Sequence, residues 1–334
     1  MPTLSCEVIS IGIDVSSQKL DICLNTGESQ IEYSIANSKE GLDNLLKCFE
    51  SNLVNSSTPI IVEATGSYHW LCCLVLKEHG YLVKVINPLL TKKYERSSIR
   101  GSKTDKIDAR RLAEIGLLET DLPDFFDSRD TLPTKQYQAI LNKLEHTKQE
   151  LTTSLNQTVK IAESVGITLE LDCVQKALID IQEAIEMLKK MISKQASPLA
   201  RELSKISGIS LFQATSLCLA TENRIFETRD QLIAFFGLDV RQRQSGMWKG
   251  NQRLSKRGNP YLRKILFQLG WSLSMNNPDY KEYYNHQYRE KDKHYYTAII
   301  ATARKFLRYY FAVLKNHQKG YLNNPNQQIS IVQT

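Results

Sequence analysis

The chain has 334 residues, of which 42% are hydrophobic and 24% are charged, with a formal net charge of +7. This balance excludes a mainly disordered protein, and the length allows two or three domains with well-buried cores. No apolar run approaches the ~20 residues of a membrane-spanning helix, no secretory signal pattern opens the chain, and the seven cysteines include no CxxC pair. We therefore expect no membrane contact, no disulfide framework and no cysteine zinc site, and we place the protein in the cytoplasm.

The first 130 residues predict a layer of strands and helices. Alternating apolar residues predict a strand that ends at Asp14, a hairpin partner at 20–24 and then a third strand. A capped helix, a short buried strand that ends at Glu63, an apolar helix and a last strand follow. This order indicates a mixed α/β layer of the ribonuclease H kind, which we assign as the first domain, residues 1–130.

Four carboxylates stand where strands end or where a helix begins. Asp14 and Glu63 end two strands, and Asp105 and Asp108 lie three residues apart at a helix start, hence on one face. Carboxylates this close repel one another unless hard cations lie between them, and a pair of Mg²⁺ ions suits phosphoryl transfer. Each acid alone is more simply a turn, cap or helix-dipole residue. Together they predict a metal-dependent site.

The middle of the chain predicts two long helices after a proline-containing linker at 121–133. They run from about 134 to 165 and from about 169 to 194, and in the second the apolar residues recur at alternating spacings of three and four, as in heptads. Such a hairpin either dimerises or serves as a rigid spacer within one chain, and both interpretations stay open. We assign residues 131–197 as a coiled-coil helical hairpin.

The remainder predicts a mostly helical domain, residues 198–320, and a flexible tail, residues 321–334. Gly208 lies in a turn between two short helices. A helix-hairpin-helix-like element of this kind can present backbone N–H groups to a phosphate, although an ordinary interhelix turn has the same pattern.

Charge and aromatic residues are concentrated near the C-terminus. Residues 241–315 hold 16 Lys plus Arg against four acids, and ten of the 15 tyrosines follow residue 260. Cations neutralise phosphates and rings stack on unpaired bases, so this mixture suits a nucleic acid. A solvated helical face above packed tyrosines has the same composition.

Ser245 lies in a predicted polar loop between residues 237 and 260. A serine hydroxyl beside a phosphodiester whose charge is masked by cations can attack phosphorus and conserve the bond energy as a phosphoserine ester. Alone, a serine before a glycine is more simply a turn residue. The cations that we expect to contact backbone phosphates are Arg241, Arg243, Lys249, Arg253, Lys256, Arg257 and Arg263.

Five motifs in this order resemble those of the Piv-like DEDD transposases of insertion sequences, the bridge-RNA-guided serine recombinases. They are GIDVSSQKLDICL, IIVEATGSYHW, GSKTDKIDARRLAEIGL, ISGIS with FFGL, and RQSGMWKGNQRLSKRGNPYLRK. The similarity covers roughly residues 8–310. It departs from the commoner form at Asp239 and Val240, near which many members have a proline.

The resemblance implies a RuvC-like first domain in which Asp14, Glu63, Asp105 and Asp108 hold two Mg²⁺ ions, and a C-terminal transposase domain with Ser245 as nucleophile. It also implies target and donor DNA, both double-stranded, a non-coding bridge RNA, and a homo-oligomer, dimer to tetramer, in which the serine of one subunit meets the acids of another. The implied reaction cuts and rejoins DNA through a covalent 5′-phosphoserine intermediate, in the bacterial cytoplasm or nucleoid.

Two alternative functions stay open. A RuvC-like metal-dependent nuclease or junction resolvase would use the acids to activate water, and Ser245 would be a bystander; such an enzyme would still cut after Ser245→Ala. In a non-catalytic nucleic-acid-binding protein the acid cluster would be vestigial or structural, so Asp14→Asn, Asp105→Asn and Asp108→Asn would leave binding intact and abolish no reaction.

Overall fold

The computed structural model describes residues 7–64, 66–95, 105–119, 122–125, 128–222, 224–241, 244–245, 248–249, 253–255 and 258–322, some of them by backbone alone. The chain divides into two compact units, and the division falls between Arg129 and Asp130. No helix in the described ranges is both long and apolar enough to cross a membrane. The further division of the second unit at residue 197 and the tail from residue 321 stay predictions.

A mixed five-stranded sheet forms the centre of the first unit. Its strands lie in the order β3-β2-β1-β4-β5. The first three form an antiparallel meander, whereas β4 pairs parallel to β1 and β5 parallel to β4, and each parallel step requires a helical crossover. This confirms the predicted mixed α/β layer. The strands are β1 (Ser10–Val15), β2 (Lys19–Asn25), β3 (Gln30–Ala36), β4 (Ile60–Glu63) and β5 (Val83–Ile86).

Four helices cover this sheet. The first starts where predicted, because the Ser38 hydroxyl accepts a hydrogen bond from the Gly41 N–H at 3.2 Å, and it buries one apolar face that includes Leu45 and Phe49. The helices are α1 (Lys39–Ser51), α2 (His69–Glu78), α3 (Pro88–Glu95) and α4 (Asp105–Leu118).

Part of the predicted linker at 121–133 belongs to the first unit. Asp124 forms a β-bridge to Lys84, the Lys84 ammonium contacts its carboxylate at 2.7 Å, and Phe125 is buried with its ring edge-to-face on Trp70 at 5.9 Å. The prolines and acids of this stretch are typical of a linker, so the sequence did not predict that a short segment of it extends the sheet edge and contributes an aromatic residue to the core.

The second unit begins with two antiparallel helices, α5 (Leu132–Ser164) and α6 (Asp172–Lys194), which confirms the two long helices predicted there. Lys189 lies 3.4 Å from Glu145, and the Lys148 ammonium bonds to the Gln182 side chain, so residue numbers rise along one helix as they fall along the other. Leu141, Ile185 and Ile192 form their buried seam. Dimerisation through this hairpin stays a prediction.

The rest of the second unit is mostly helical. The helices α7 to α10 and α12 enclose an apolar core around Phe236, Leu266 and Phe306, in which the Tyr310 hydroxyl lies 2.7 Å from the Thr221 hydroxyl. A π-helical turn, His286–Glu290, precedes the last helix. The helices are α7 (Pro198–Leu203), α8 (Leu211–Thr221), α9 (Arg229–Phe235), α10 (Pro260–Asn276), α11 (Pro278–Asn285) and α12 (Tyr295–Leu322).

The segment between α9 and α10 is not the polar loop that the sequence indicated. Its described residues include four strands of two residues each: β6 (Val240–Arg241), β7 (Gln244–Ser245), β8 (Trp248–Lys249) and β9 (Arg253–Leu254). Strands this short carry no detectable alternation of apolar and polar residues, so the pattern that reveals longer strands was absent.

Candidate catalytic site

Helix α4 packs very closely against the sheet because small residues face each other across the contact. A Cβ on Gly12 would overlap the Ala109 carbonyl oxygen and the Ala113 nitrogen, and a Cβ on Gly116 would lie 2.8 Å from Ile61 Cγ1. The Ser10 hydroxyl donates to the Ala113 carbonyl oxygen at 2.8 Å. In these contacts the residue numbers rise along α4 as they fall along β1, so the helix runs antiparallel to the strand. The first turn of α4 therefore lies near the C-terminal end of β1.

Strand alternation then fixes the side of the sheet on which two acids lie. Ser10 and Gly12 face α4, so Asp14, two residues further on, lies on the same face. Ile61 faces α4, so Glu63 does too. The strands β1 and β4 are parallel neighbours about 4.8 Å apart, with Ile13 opposite Val62. Asp14 and Glu63 are therefore adjacent, under the first turn of α4.

The third acid, Asp108, lies in that first turn, immediately before Ala109, the residue that contacts Gly12. Its carboxylate is 26% exposed and pairs with Arg111 at 3.1 Å, while Asp14 and Glu63 are half-buried. Asp105 begins the helix, and its side chain lies outside the described atoms. The described backbone thus brings all four predicted acids to one end of the sheet.

Carboxylate oxygens are the donors that Mg²⁺ prefers, so the chemistry of these residues fits that ion. Among the side chains that the structure describes, which exclude Asp105, no three acids, histidines or cysteines are close enough to share one metal ion. The buried Cys23 packs under α4 beside Ala109 and Ala113, and burial raises its pKa to about 11. Its thiol therefore stays protonated at neutral pH.

Asp21 is a fifth acid at this site, and it was not among the predicted site residues. It pairs directly with Asp14 in the β1–β2 register and therefore lies on the same face. It is buried, with the Lys19 ammonium 2.8 Å from its carboxylate and the Ser34 hydroxyl donating to it. The sequence does contain a signal for this position. Because neighbouring side chains of a strand alternate between its faces, an acid flanked by Leu20 and Ile22 must lie on the face opposite to those apolar side chains.

Ser245 lies in the innermost strand pair of an antiparallel arm, which we define as the described residues between 237 and 258. The pairings are nested from base to tip: Ser255 N–H donates to the Asp239 carbonyl oxygen at 2.9 Å, β6 pairs with β9, and β7 pairs with β8, where Ser245 is opposite Trp248. At the base the Ser255 hydroxyl also bonds to the Asp239 carboxylate. Asp239, where this sequence departs from the commoner family form, therefore ties the two sides of the arm together.

Two glycines close the base of the arm. Gly237 has a φ of +67°, and a Cβ there would lie 2.7 Å from the Gly258 nitrogen. A Cβ on Gly258 would overlap the Phe235 carbonyl oxygen. The half-buried Arg263 donates to the Gly258 carbonyl oxygen at 3.0 Å, so this predicted phosphate ligand also helps to hold the base.

The other predicted nucleic-acid residues are described only in part. Arg241, Lys249 and Arg253 lie on strands of the arm by their backbones, while Arg243, Lys256 and Arg257 lie outside the described residues. Their phosphate contacts stay predictions.

Gly208 is explained by packing. Its φ is +93°, and a Cβ would lie 3.0 Å from the Ser272 carbonyl oxygen on α10. The start of α8 is capped internally, with Gln213 N–H donating to the Ser210 hydroxyl at 3.2 Å. A phosphate contact at this turn stays a prediction.

Comparisons with known proteins agree with this distribution of residues. Residues 11–165, which hold the four acids, match the family model of DEDD transposases of the IS110 type, described as a transposase. Residues 200–285, which hold the arm, match the transposase IS116/IS110/IS902 family.

Individual relatives extend the similarity over most of the chain. The pilin gene-inverting proteins of Moraxella lacunata and Moraxella bovis are each 26% identical over 318 residues, which is 92% of this chain and 96% of theirs. The transposase for insertion sequence element IS1111A of Coxiella burnetii is 26% identical over 238 residues, 62% of this chain and 63% of its own.

Proposed function

The chain belongs to the DEDD transposases of the IS110 type, and on that premise we propose that it cuts and rejoins DNA through a 5′-phosphoserine ester on Ser245, with Mg²⁺ held by the four acids. The observation that carries this proposal is the convergence of Asp14, Glu63 and the first turn of α4 at one end of the sheet. A nuclease that activates water would need the same arrangement of acids. The role of Ser245 therefore requires a separate test.

The strand order supports a RuvC-like first domain. An antiparallel meander followed by two parallel strands puts β1 at the centre of the sheet, beside β4, and both bear a predicted metal ligand at their ends. In the proposed site Asp14, Glu63, Asp105 and Asp108 would hold the cations. Two Mg²⁺ ions, when bound, would neutralise the charge that accumulates on the scissile phosphate and favour the deprotonated form of an attacking hydroxyl.

In the proposed reaction the Ser245 Oγ forms a bond to phosphorus, and the bond from phosphorus to the 3′ oxygen breaks. The hydroxyl proton leaves to solvent and the departing 3′ oxygen takes up a proton, so the products are a 5′-phosphoserine ester and a 3′-hydroxyl. Attack by the 3′-hydroxyl of another strand reverses these bond changes and rejoins DNA without an external energy source. The cations of the arm would neutralise neighbouring phosphates.

The relatives' names support rejoining as well as cutting. One kind is called a gene-inverting protein and another a transposase, and both names describe the rearrangement of DNA segments. We extend the proposal to target and donor DNA paired by a bridge RNA, and to action in the cytoplasm or nucleoid. The α5–α6 hairpin exposes Ile161 and Val165 near its tip, which suits contact between subunits of a homo-oligomer.

The test is whether cutting requires the serine. Protein, Mg²⁺, the candidate RNA and end-labelled DNA that carries the element junction are incubated, and the products are separated under denaturing conditions. We expect a protein–DNA adduct with the unchanged chain and with the surface control Ser204→Ala, and neither adduct nor cutting with Ser245→Ala. Continued cutting by Ser245→Ala would favour the nuclease that activates water.

A further inference from the structure

A group of aromatic rings lies near the start of α12, away from the arm in sequence. Tyr284 and Tyr288 are stacked, with ring centroids 5.7 Å apart and planes inclined by 18°. His294 stacks on Tyr296 at 5.4 Å and 16°, and Tyr295 and Phe267 also contact Tyr296, at 4.1 and 5.5 Å. We name this group the ring cluster; its members are Phe267, Tyr284, Tyr288, His294, Tyr295 and Tyr296.

The two stacks adjoin each other. The pKa of Tyr295 is raised, first by its hydrogen bond with Tyr296 and in smaller part by the phenol of Tyr284. Helix α12 also contacts the π-helical turn, and α10 contacts both α11 and α12, so the two stacks lie where these four elements meet.

The rings are exposed, unlike the core tyrosines of the same unit. Tyr288 is 43% exposed, Tyr295 41% and Tyr296 52%, whereas Tyr310 is fully buried. Aromatic rings preferentially bury their faces, so several partly exposed rings in mutual contact form the kind of apolar surface that binds something. Their exposure leaves ring surface available to a planar partner.

The backbone beneath the cluster is irregular. The π-helical turn His286–Glu290 carries Tyr288, and single π-turns occur frequently at functional sites. Asp292 then adopts a φ of +46°, which is costly for a residue with a Cβ. The irregular backbone thus lies between Tyr288 and Tyr295, which belong to different elements.

Positive charge is concentrated in the segment that carries most of the rings. Residues 281–308 hold seven Lys plus Arg against three acids. Arg289 and Lys291 are exposed, and Arg289 is near enough to Tyr284 to act on the pKa of that phenol. Of the acids, Glu290 lies 2.6 Å from His286 Nδ1, so part of the local negative charge is already engaged. Cations beside exposed rings match a polyanion with flat apolar bases.

We propose that the ring cluster binds unpaired nucleotides of a single-stranded nucleic acid. Bases stack on the exposed faces of Tyr288, Tyr295 and Tyr296, and the phosphates between them contact Arg289 and Lys291. Paired bases within a duplex do not offer their faces, so the site prefers single strands. Binding here involves neither Ser245 nor the acids, so the proposal goes beyond the transposition chemistry and does not depend on it.

The test measures binding without Mg²⁺, so that no cleavage contributes. Fluorescein-labelled oligomers of uridine and of thymidine, about 20 nucleotides long, are titrated with protein, alongside a duplex and an abasic oligomer of equal length. Stacking contributes about 1–3 kcal/mol per base, so Tyr295→Leu with Tyr296→Leu should weaken single-strand binding by about 10-fold or more and leave duplex and abasic binding unchanged. Tyr309→Leu, an equally exposed tyrosine of α12 outside the ring cluster, should bind like the unchanged chain.

Equal loss for the duplex and the abasic oligomer, or no loss for either single strand, would overturn the proposal. A preference for uridine or thymidine oligomers identifies RNA or DNA as the strand that is bound. If the double variant does not fold, photocrosslinking of 4-thiouridine oligomers to the unchanged chain replaces it. We expect crosslinks in peptides that span residues 284–296, and crosslinks confined to other peptides would contradict the site.

Discussion

Two kinds of backbone contact determine where Asp14, Glu63 and Asp108 lie. Asp14 and Glu63 owe their neighbouring positions to a parallel strand pairing, and Asp108 owes its position to the contact between Ala109 and Gly12. Asp108 also pairs with Arg111. Carboxylates that lie close together at one end of the sheet repel one another and lower the stability of the fold. Such a loss of stability is common at functional sites.

The first prediction concerns Glu63→Gln. The change removes one negative charge beside Asp14, so we expect the free energy of unfolding of the metal-free protein to stay equal or to rise. The yield of the protein–DNA adduct should fall by about 100-fold or more, because a metal ligand is lost. Thermal unfolding and the denaturing gel measure the two effects, with the exposed Glu7→Gln as control. A variant with normal adduct yield would remove Glu63 from the proposed site.

The second prediction concerns the ion pair between Asp21 and Lys19. Asp21→Asn releases the Lys19 ammonium, which we expect to pair with Asp14 on the same face and to compete with Mg²⁺ there. The Mg²⁺ concentration at half-maximal adduct yield should rise several-fold, and adding Lys19→Ala should restore it. A purely structural role would lower stability, by about 1–3 kcal/mol for a lost buried partner, without moving this concentration.

At the scale of elements, the close contact between α4 and the sheet determines where the acids lie. Gly12→Ala forces a methyl group into the backbone of Ala109 and Ala113, so we expect the first unit to lose about 3 kcal/mol or more and its acids to separate. The comparison is Gly80→Ala, where no atom lies within 4 Å and only the φ of +81° is unfavourable, at about 1 kcal/mol. Similar losses for both variants, measured by denaturant unfolding, would contradict this account of the contact.

The arm provides the fourth prediction. Ser255→Ala removes the hydrogen bond from the Ser255 hydroxyl to the Asp239 carboxylate, which is worth about 1.5–3 kcal/mol, while the core of α7 to α10 and α12 is untouched. We expect adduct yield to fall several-fold with little change in the unfolding temperature. Ser204→Ala, a surface serine of the same unit, should change neither quantity. Full activity of Ser255→Ala would show that the arm base does not position Ser245.

The sequence predicted the longer elements and the positions of the acids, because patterns of period two and 3.6 extend over enough residues there. Asp14 and Glu63 were identified as strand ends, and the α5 and α6 helices were placed within three residues. Asp21 and the strands of the arm were missed for different reasons. To place Asp21 beside Asp14, the register of the hairpin must be known. The two-residue strands of the arm are too short to show a periodic pattern, so only their pairing partners define them.

At the scale of the molecule, the two units carry complementary parts of the proposed chemistry. The acids belong to the unit that ends at Arg129, and Ser245, the arm and the basic stretch 241–315 belong to the other. Each matches its own family model. The proposed reaction therefore needs residues of both units.

The most direct test identifies the atom that is bonded to DNA. The adduct is trimmed with nuclease and protease, and mass spectrometry locates the remaining nucleotide on the peptides. The account predicts a 5′-linked nucleotide on Ser245, formed only when Asp14, Glu63, Asp105 and Asp108 are intact. A nucleotide on another residue, or cleaved DNA with free 5′-phosphates and no modified peptide, would contradict it.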